Sequence, residues 1–190
     1  MTLSTHAGLR LLGMLGLALA VAWGPFCAAQ SETEEAEYRV KAAFLYKFGS
    51  YIEWPDGTFE RPNSPLAIGV AGADVLADKL AQAVSGRTVG GHPVTVRKLR
   101  RGEPVKGLHI LFIGRMQEGQ VVELLAASKG FPILTVTESE NGLALGSMIN
   151  FVVIEDKVRF EVAPKAARSR NLIISALLIS VAYKIVSEPS

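Results

Sequence analysis

Four polar residues that could take part in chemistry lie at or just after predicted strands. Asp74, Arg115 and Glu138 each follow a short apolar run, and Asn150 lies in a later segment rich in β-forming residues. An open α/β sheet binds its ligands outside the carboxyl ends of its parallel strands. Arg115 and Glu138 at neighbouring strand ends form either an ion pair or a site that recognises an anion, and surface pairing is the commoner outcome. These four residues are therefore the candidates for loops that contact a ligand or a partner.

Familiar catalytic motifs are missing around these residues. Gly114-Arg115 stands where a phosphate-accepting domain needs an acidic residue, and no Walker loop or G-x-G-x-x-G turn offers its backbone amides to a nucleotide. Gly146-Ser147-Met148 lacks the spacing of a nucleophile elbow. His92 and His109 have no H-E-x-x-H pattern or cysteine pair beside them, which argues against a metal site. The sequence thus predicts no catalytic residue, no cofactor and no metal.

His109 lies inside an unbroken apolar run between Gly107 and Gly114. The run is too short for a stable helix, and its β-branched and aromatic residues favour a strand that is buried on both faces. We interpret it as the middle strand of a sheet. A histidine in such a strand is usually neutral and hydrogen-bonded to a neighbour, and a ligand-binding or pH-sensing role is the alternative.

Helices and strands alternate around this central run. A helix at 118–128 and a strand at 132–136 follow it, an order that predicts a βαβ unit with parallel strands. Before it come a buried strand at 66–71, a helix at 75–84 capped by the preceding aspartate, and a short, more exposed strand at 94–97.

The two ends of the predicted domain are helical. The first helix, 36–54, carries Val40, Phe44 and Phe48 on an apolar stripe, with Glu37 and Lys41 as an i,i+4 ion pair. The last helix, 172–186, is apolar nearly all round, so it must be buried in the core, in a partner or in lipid. Its roughly twelve apolar residues fall short of the roughly twenty that span a bilayer, which favours the core or a dimer interface.

A β-rich stretch at 147–162, with a turn at 155–157, precedes the last helix and predicts an antiparallel hairpin. The predicted fold is therefore α/β, with a mostly parallel central sheet, helices on both faces, a C-terminal β-hairpin and an apolar C-terminal helix.

Residues 1–29 have the features of a secretory signal peptide. Arg10 precedes an apolar core, and small residues surround the expected cleavage site after Ala29. Cys27 offers a lipoprotein anchor as the alternative, but that signal requires a small residue before the cysteine, and Phe26 is large. We therefore expect export to the periplasm and a single domain over 30–190. Loss of Cys27, the only cysteine, would leave a mature chain without disulfides.

The charge balance argues against a nucleic-acid partner. The chain has 20 basic and 18 acidic residues, a formal net charge of +2, and no basic stripe interleaved with aromatic residues. Arg97, Lys98, Arg100 and Arg101 form the one local exception. At the end of an edge strand, such a cluster usually prevents pairing with other strands, and a site for an acidic partner is the alternative.

Several segments of the chain resemble the YfiR family of exported regulators. They are KAAFLYKF (41–48), YIEWP (51–55), GR (86–87), PVTV (93–96), HILFI (109–113), ILTV (133–136) and GSMINF (146–151). These segments occur in the same order as in the family and are distributed over most of the predicted mature chain.

The resemblance implies a periplasmic, non-enzymatic repressor that dimerises. Such proteins hold a membrane-anchored diguanylate cyclase inactive through its periplasmic domain, which lowers cyclic-di-GMP and biofilm formation. Family members often carry a cysteine before the histidine of the central strand and form redox-sensing disulfides, but Leu108 occupies that place here. The alternative function is a periplasmic small-molecule-binding protein or an unrecognised α/β enzyme, with Asp74, Arg115, Glu138 and Asn150 around a cleft.

Overall fold

The computed structural model of the protein describes residues 24–187, with side chains from residue 32 onward. Residues 1–23 of the predicted signal peptide, 1–29, and the side chain of Cys27 lie outside what is described, so export and cleavage stay predictions. None of the described helices is long and apolar enough to cross a membrane. The chain divides into two units, 1–36 and 37–190, and the whole sheet belongs to the second.

Five α-helices and ten strands form within the described residues. The helices are α1 (Gly24–Phe48), α2 (Asp74–Val84), α3 (Glu118–Ala127), α4 (Pro164–Arg168) and α5 (Ala176–Ser180), with a 3-10 helix at Gly49–Tyr51. The strands are β1 (Ile52–Glu53), β2 (Leu66–Ala71), β3 (Thr88–Val89), β4 (His92–Leu99), β5 (Ile110–Ile113), β6 (Leu134–Thr137), β7 (Ile149–Ile154), β8 (Lys157–Val162), β9 (Ile173–Ile174) and β10 (Lys184–Ile185).

Eight of the strands form one sheet, in the order β10-β8-β7-β6-β5-β2-β4-β3. The central strand β5 runs parallel to β2 and β6, with Ile110 opposite both Ile68 and Leu134. The β2–β4 and β6–β7 pairs are also parallel, whereas β7 and β8 form an antiparallel hairpin. The predicted α/β fold, with a mostly parallel sheet and a C-terminal hairpin, is therefore confirmed.

Alternate residues of β5 pack into two different apolar clusters, because successive side chains of a strand point to opposite faces. Ile110 and Phe112 lie in the larger cluster, together with side chains of α1 and α2. Leu111 and Ile113 lie in the smaller cluster, together with side chains of α3. All four are fully buried, as the continuous apolar run predicts for a central parallel strand.

The first helix ends six residues earlier than predicted and is described from a residue well before the predicted start. It is described from Gly24 and ends at Phe48, whereas the apolar periodicity predicted 36–54. Gly49 follows it, and a Cβ atom there would lie 3.2 Å from the side chains of both Leu66 and Val89. Close packing therefore favours a glycine, a poor helix former, at the point where α1 is followed by the 3-10 helix.

The prediction of a long apolar helix at 172–186 is wrong. The structure has the short strands β9 and β10 there, with only the five-residue α5 between them. Ile174 pairs with Ile52 of β1. The Ser175 hydroxyl accepts a hydrogen bond from the N–H of Leu178 at 3.3 Å, which caps α5 at its N-terminus. Pairing across the fold and a local cap thus override the apolar helical pattern.

Two smaller predictions also need correction. Asp74 is the first residue of α2 rather than its cap, because the N-cap position belongs to Ala73, which has no side chain to donate or accept a bond. The exposed strand predicted at 94–97 is longer and pairs antiparallel with β3, which sequence analysis missed.

Candidate functional site

Glu138 and Lys41 form a buried ion pair at the carboxyl edge of the sheet. Glu138 directly follows β6, and Lys41 lies two turns before the end of α1. The Lys41 ammonium also pairs with Glu37, one turn earlier on the same helix. The side chains of Lys41 and Glu138 are only 2% and 6% exposed. Because an unpaired buried charge costs several kcal/mol, Lys41 depends on the two carboxylates beside it.

Arg115 joins this group through two different donors. Its backbone N–H donates to Oε1 of Glu138 at 3.3 Å. Its guanidinium donates to Oε1 of Glu37, also at 3.3 Å, and the Arg115 side chain stays 70% exposed. Arg115 and Glu138 thus interact as predicted, but through the backbone N–H of Arg115. The Arg115 guanidinium pairs with Glu37 instead. We call Glu37, Lys41, Arg115 and Glu138 the ion-pair cluster.

Within the ion-pair cluster two cations face two carboxylates, so its formal charges cancel. Each charged group already has an opposite charge within the cluster. Among the described residues, no group of three or more histidine, cysteine, aspartate or glutamate side chains could hold a metal ion. The arrangement is suited to fastening α1 to the loops that follow β5 and β6, rather than to attracting an anion.

Asn150 lies on the neighbouring strand, β7, and is buried. Its Oδ1 accepts hydrogen bonds from the Thr137 hydroxyl at 2.8 Å and from the Ser139 N–H at 3.2 Å. A Cβ atom at Gly142 would collide with both Thr137 and Asn150. The Asn150 side chain therefore fixes the chain that leaves β6, one residue from Glu138, and is not directed at solvent.

Asp74 has a different environment from the other three candidates. It begins α2 and is exposed. The pKa of Lys98 on β4 is raised mainly by its hydrogen bond to Asp78, and the negative charge of Asp74 adds a smaller contribution in the same direction. The structure thus brings Arg115 and Glu138 together and places Asn150 beside them, whereas Asp74 interacts electrostatically with Lys98 of β4.

Sequence analysis recognised the Glu37–Lys41 pair but missed that Lys41 is buried. The predicted apolar stripe ran through Val40, which is 42% exposed. The buried stripe instead contains Lys41, Leu45 and Phe48. These three residues are spaced by four and three positions, so Lys41 already lay on one helical face with the two core residues. That spacing was the available signal.

The opposite, amino edge of the sheet carries a stack of three rings. Phe59 lies nearly parallel to two imidazoles, with its ring centroid 3.7 Å from that of His92 and 4.4 Å from that of His109. His92 Nδ1 lies 2.7 Å from the carbonyl oxygen of Ser64 and donates to it, since a carbonyl only accepts. The stack holds the loop 54–65 over the beginnings of β4 and β5.

His109 is held in its neutral form by this environment. Its pKa is lowered to about 4, mainly by burial and to a smaller extent by the charge of neighbouring His92, and a hydrogen bond with the backbone of Thr58 partly opposes both. Nδ1 accepts from the N–H of Ala67 at 3.1 Å, so the proton of the neutral ring is on Nε2. The predicted buried, neutral and hydrogen-bonded histidine is confirmed.

Large apolar side chains are exposed along the C-terminal part of the chain. Five of them are at least half exposed: Ile173, Leu177, Val181, Tyr183 and Ile185. We call residues 173–185 the C-terminal apolar segment. Leu177 and Val181 are one helical turn apart in and beside α5. Sequence analysis expected these side chains to be buried in the core or in a dimer interface, and the structure does not bury them within the chain.

Comparison with known proteins identifies the class. A family model described as YfiR/HmsC-like matches residues 38–183, which is most of the chain and almost all of its second unit. The chain therefore belongs to the YfiR/HmsC-like family. This family is regulatory, non-enzymatic and in general periplasmic. A search of curated proteins finds no matching relative.

Proposed function

We propose that this protein is exported through the signal peptide at 1–29 and represses a membrane-anchored diguanylate cyclase. Repression acts through contact with the periplasmic domain of the cyclase and lowers cyclic-di-GMP and biofilm formation. The observation that carries this proposal is family membership over residues 38–183.

The C-terminal apolar segment is the surface that we assign to the cyclase. Its five large side chains are at least half exposed, and we propose that they form one apolar patch, since a contiguous exposed apolar patch marks a site of protein interaction. Leu177 in α5 and Val181 directly after α5 are one helical turn apart and would form its centre. The segment rests on the sheet, because Tyr183 and Val186 donate main-chain hydrogen bonds to carbonyls of β8 at 2.8 Å.

Redox control by disulfides does not extend to this chain in our proposal. Its single cysteine, Cys27, precedes the expected cleavage site. At the place where relatives carry a cysteine before the central histidine, Leu108 is buried in the smaller apolar cluster. Its side chain packs over Gly69, where even a single methyl group would collide with it. A packing residue thus replaces a reactive one.

The family resemblance also implies a homodimer, and we propose that this protein forms one. Light scattering on the purified mature chain tests it: a mass twice that of the chain is expected, and a monomer at all concentrations would refute this part alone.

Co-purification tests the proposed partner. The tagged full-length protein should be crosslinked in cells and captured from detergent-solubilised membranes together with a diguanylate cyclase encoded beside it. The same capture with a Leu177→Glu/Val181→Glu variant should recover much less cyclase, while Val122→Glu on α3 should recover a normal amount, because Val122 is also exposed but lies elsewhere. Failure of the wild-type protein to capture any cyclase would contradict the proposal.

A further inference from the structure

The second half of β4 has no neighbouring strand on one side. β3 covers only its start, where Thr88 pairs with Pro93 and Val89 with His92. On its other side β4 pairs with β2 from Val94 to Leu99. Among the described residues, 95–99 therefore have a strand partner on one side and none on the other. The matching open stretch on β8, at the far end of the sheet, is shorter, since β10 pairs with its last two residues.

The direction of the free main-chain groups follows from one hydrogen bond. The N–H of Val94 donates to the carbonyl of Arg87 at 3.1 Å, so it points away from β2. Every second residue of a strand directs its N–H and C=O to the same side. Val96 and Lys98 consequently present their N–H and C=O groups at the open edge, about 7 Å apart along the strand. These two N–H donors and two C=O acceptors have the spacing needed to form hydrogen bonds with one edge of an added strand.

Positive charge surrounds the open edge. Arg97, Lys98, Arg100 and Arg101 are all exposed. Lys98 is neutralised in part by Asp78 at 2.7 Å, and the guanidinium of Arg97 donates to the carbonyl of Pro104 at 2.5 Å, which leaves its charge uncompensated. The structure shows no ion pair between the arginines of this group and any described carboxylate. The net local charge is therefore positive at the place where the backbone is free.

We propose that the open edge of β4 binds an extended, acidic peptide segment of a partner protein by strand addition. The free groups of Val96 and Lys98 supply the main-chain hydrogen bonds, and Arg97, Arg100 and Arg101 select for carboxylates. The same cations repel a second copy of this edge, so the occupant is a different protein and not another copy of this chain. The surface lies at the opposite end of the strand order from β10, so this interaction and the one assigned to the C-terminal apolar segment can coexist.

Labelled peptides test the proposal directly. The probe is an acetylated, fluorescein-labelled hexapeptide of sequence Glu-Thr-Glu-Val-Glu-Thr, measured by anisotropy against the mature protein. The same peptide methylated on alternate backbone nitrogens keeps its charge but cannot add as a strand. We expect the methylated peptide to bind at least about tenfold more weakly, and hydrogen exchange to slow at the Val96 and Lys98 amides with the unmodified peptide. Equal binding of both peptides, no binding of either, or slowing only at β8 would overturn the proposal.

Substitutions separate the backbone from the charge. Val96→Pro removes an outward N–H without removing a bond to β2, and proline is tolerated at such an edge position. It should abolish peptide binding while circular dichroism stays unchanged. Arg97→Glu/Arg101→Glu should reverse the preference towards a lysine-containing peptide, whereas Arg159→Glu, an exposed arginine on β8, should leave binding as in the wild type. If slowed exchange at Val96 depends on protein concentration without peptide, the edge pairs with a second copy and the proposal is wrong.

Discussion

Lys41 and Glu138 are 97 residues apart in the chain, and their side chains meet in a buried ion pair. One belongs to α1 and the other to the loop after β6, so the pair fastens the long first helix to the carboxyl edge of the sheet. The same edge is where sequence analysis expected a ligand. The charges found there are paired with one another, so at this edge they stabilise the fold. The family to which the protein belongs is regulatory.

Removing the lysine should destabilise the fold strongly. Lys41→Met leaves Glu138 buried and without its cation, a change that typically costs about 3–5 kcal/mol. Adding Glu138→Gln to the same protein removes the stranded charge and should recover part of the loss. Urea unfolding followed by Trp54 fluorescence measures both, since Trp54 is the only tryptophan after residue 29.

The exposed Lys98–Asp78 pair is the matched control for Lys41. Its side chains are 44% and 61% exposed, so Lys98→Met should change the unfolding free energy by less than about 1 kcal/mol. Equal effects of the two lysine substitutions would show that the burial of Lys41 does not matter.

Stability should fall as the pH drops from about 6.5 to about 4. The folded-state pKa of His109 is lowered to about 4 from the ordinary value of 6.5. Between these values the unfolded chain binds a proton that the folded chain does not, so acid favours unfolding, and below about pH 4 the loss is complete. A shift of this size corresponds to at most about 3.4 kcal/mol.

His109→Asn isolates this contribution, because the asparagine oxygen can still accept from the N–H of Ala67 while the side chain cannot titrate. Unfolding measured at a series of pH values should show a flatter profile for the variant. Carboxylates titrate in both proteins and cancel in the difference. Parallel profiles for wild type and variant would mean that His109 is not held neutral by the fold.

Two glycines offer opposite outcomes for the same substitution. A Cβ atom at Gly142 would collide with Thr137 and Asn150, so Gly142→Ala should cost about 1–3 kcal/mol. Gly119 lies in α3 with open space around it, and Gly119→Ala should stabilise by up to about 1 kcal/mol. Thermal melting of the two variants checks the pair, and a neutral Gly142→Ala would disprove the tight packing around Asn150.

The central sheet could be predicted from the sequence because its pattern is local. The run ending at Gly114 is short, apolar and bounded by glycines, and parallel strands buried on both faces have this composition. The following helix and strand repeat it, so β5, α3 and β6 were all located within a few residues. Family resemblance rested on the same segments and is confirmed over 38–183.

The parts that were missed depend on contacts between distant residues. Helical spacing places Lys41 on the buried face of α1, but nothing near it in sequence shows that Glu138 will neutralise it, so the partner that permits its burial could not be predicted. The C-terminal apolar segment has the composition of a helix, but pairing of Ile174 with Ile52 and the Ser175 cap divide it. Such tertiary pairing overrides local propensity.

The central proposal is that this protein controls a diguanylate cyclase by binding to it through an exposed surface and not by catalysing a reaction. Leu177→Glu and Val181→Glu change side chains that are each 60% exposed, so they should alter the unfolding free energy little, within about 0.5 kcal/mol each. They place charges on the surface that we assign to the partner. Val122→Glu on α3 is the control for an added charge at another exposed apolar position.

The most direct test measures cellular cyclic-di-GMP in a strain that lacks this protein, complemented with wild type, with Leu177→Glu/Val181→Glu or with Val122→Glu at equal periplasmic levels. We expect the wild type and Val122→Glu to lower cyclic-di-GMP and the double variant to leave it as high as in the deletion strain. Unchanged cyclic-di-GMP on deletion, or full repression by the double variant, would contradict the account.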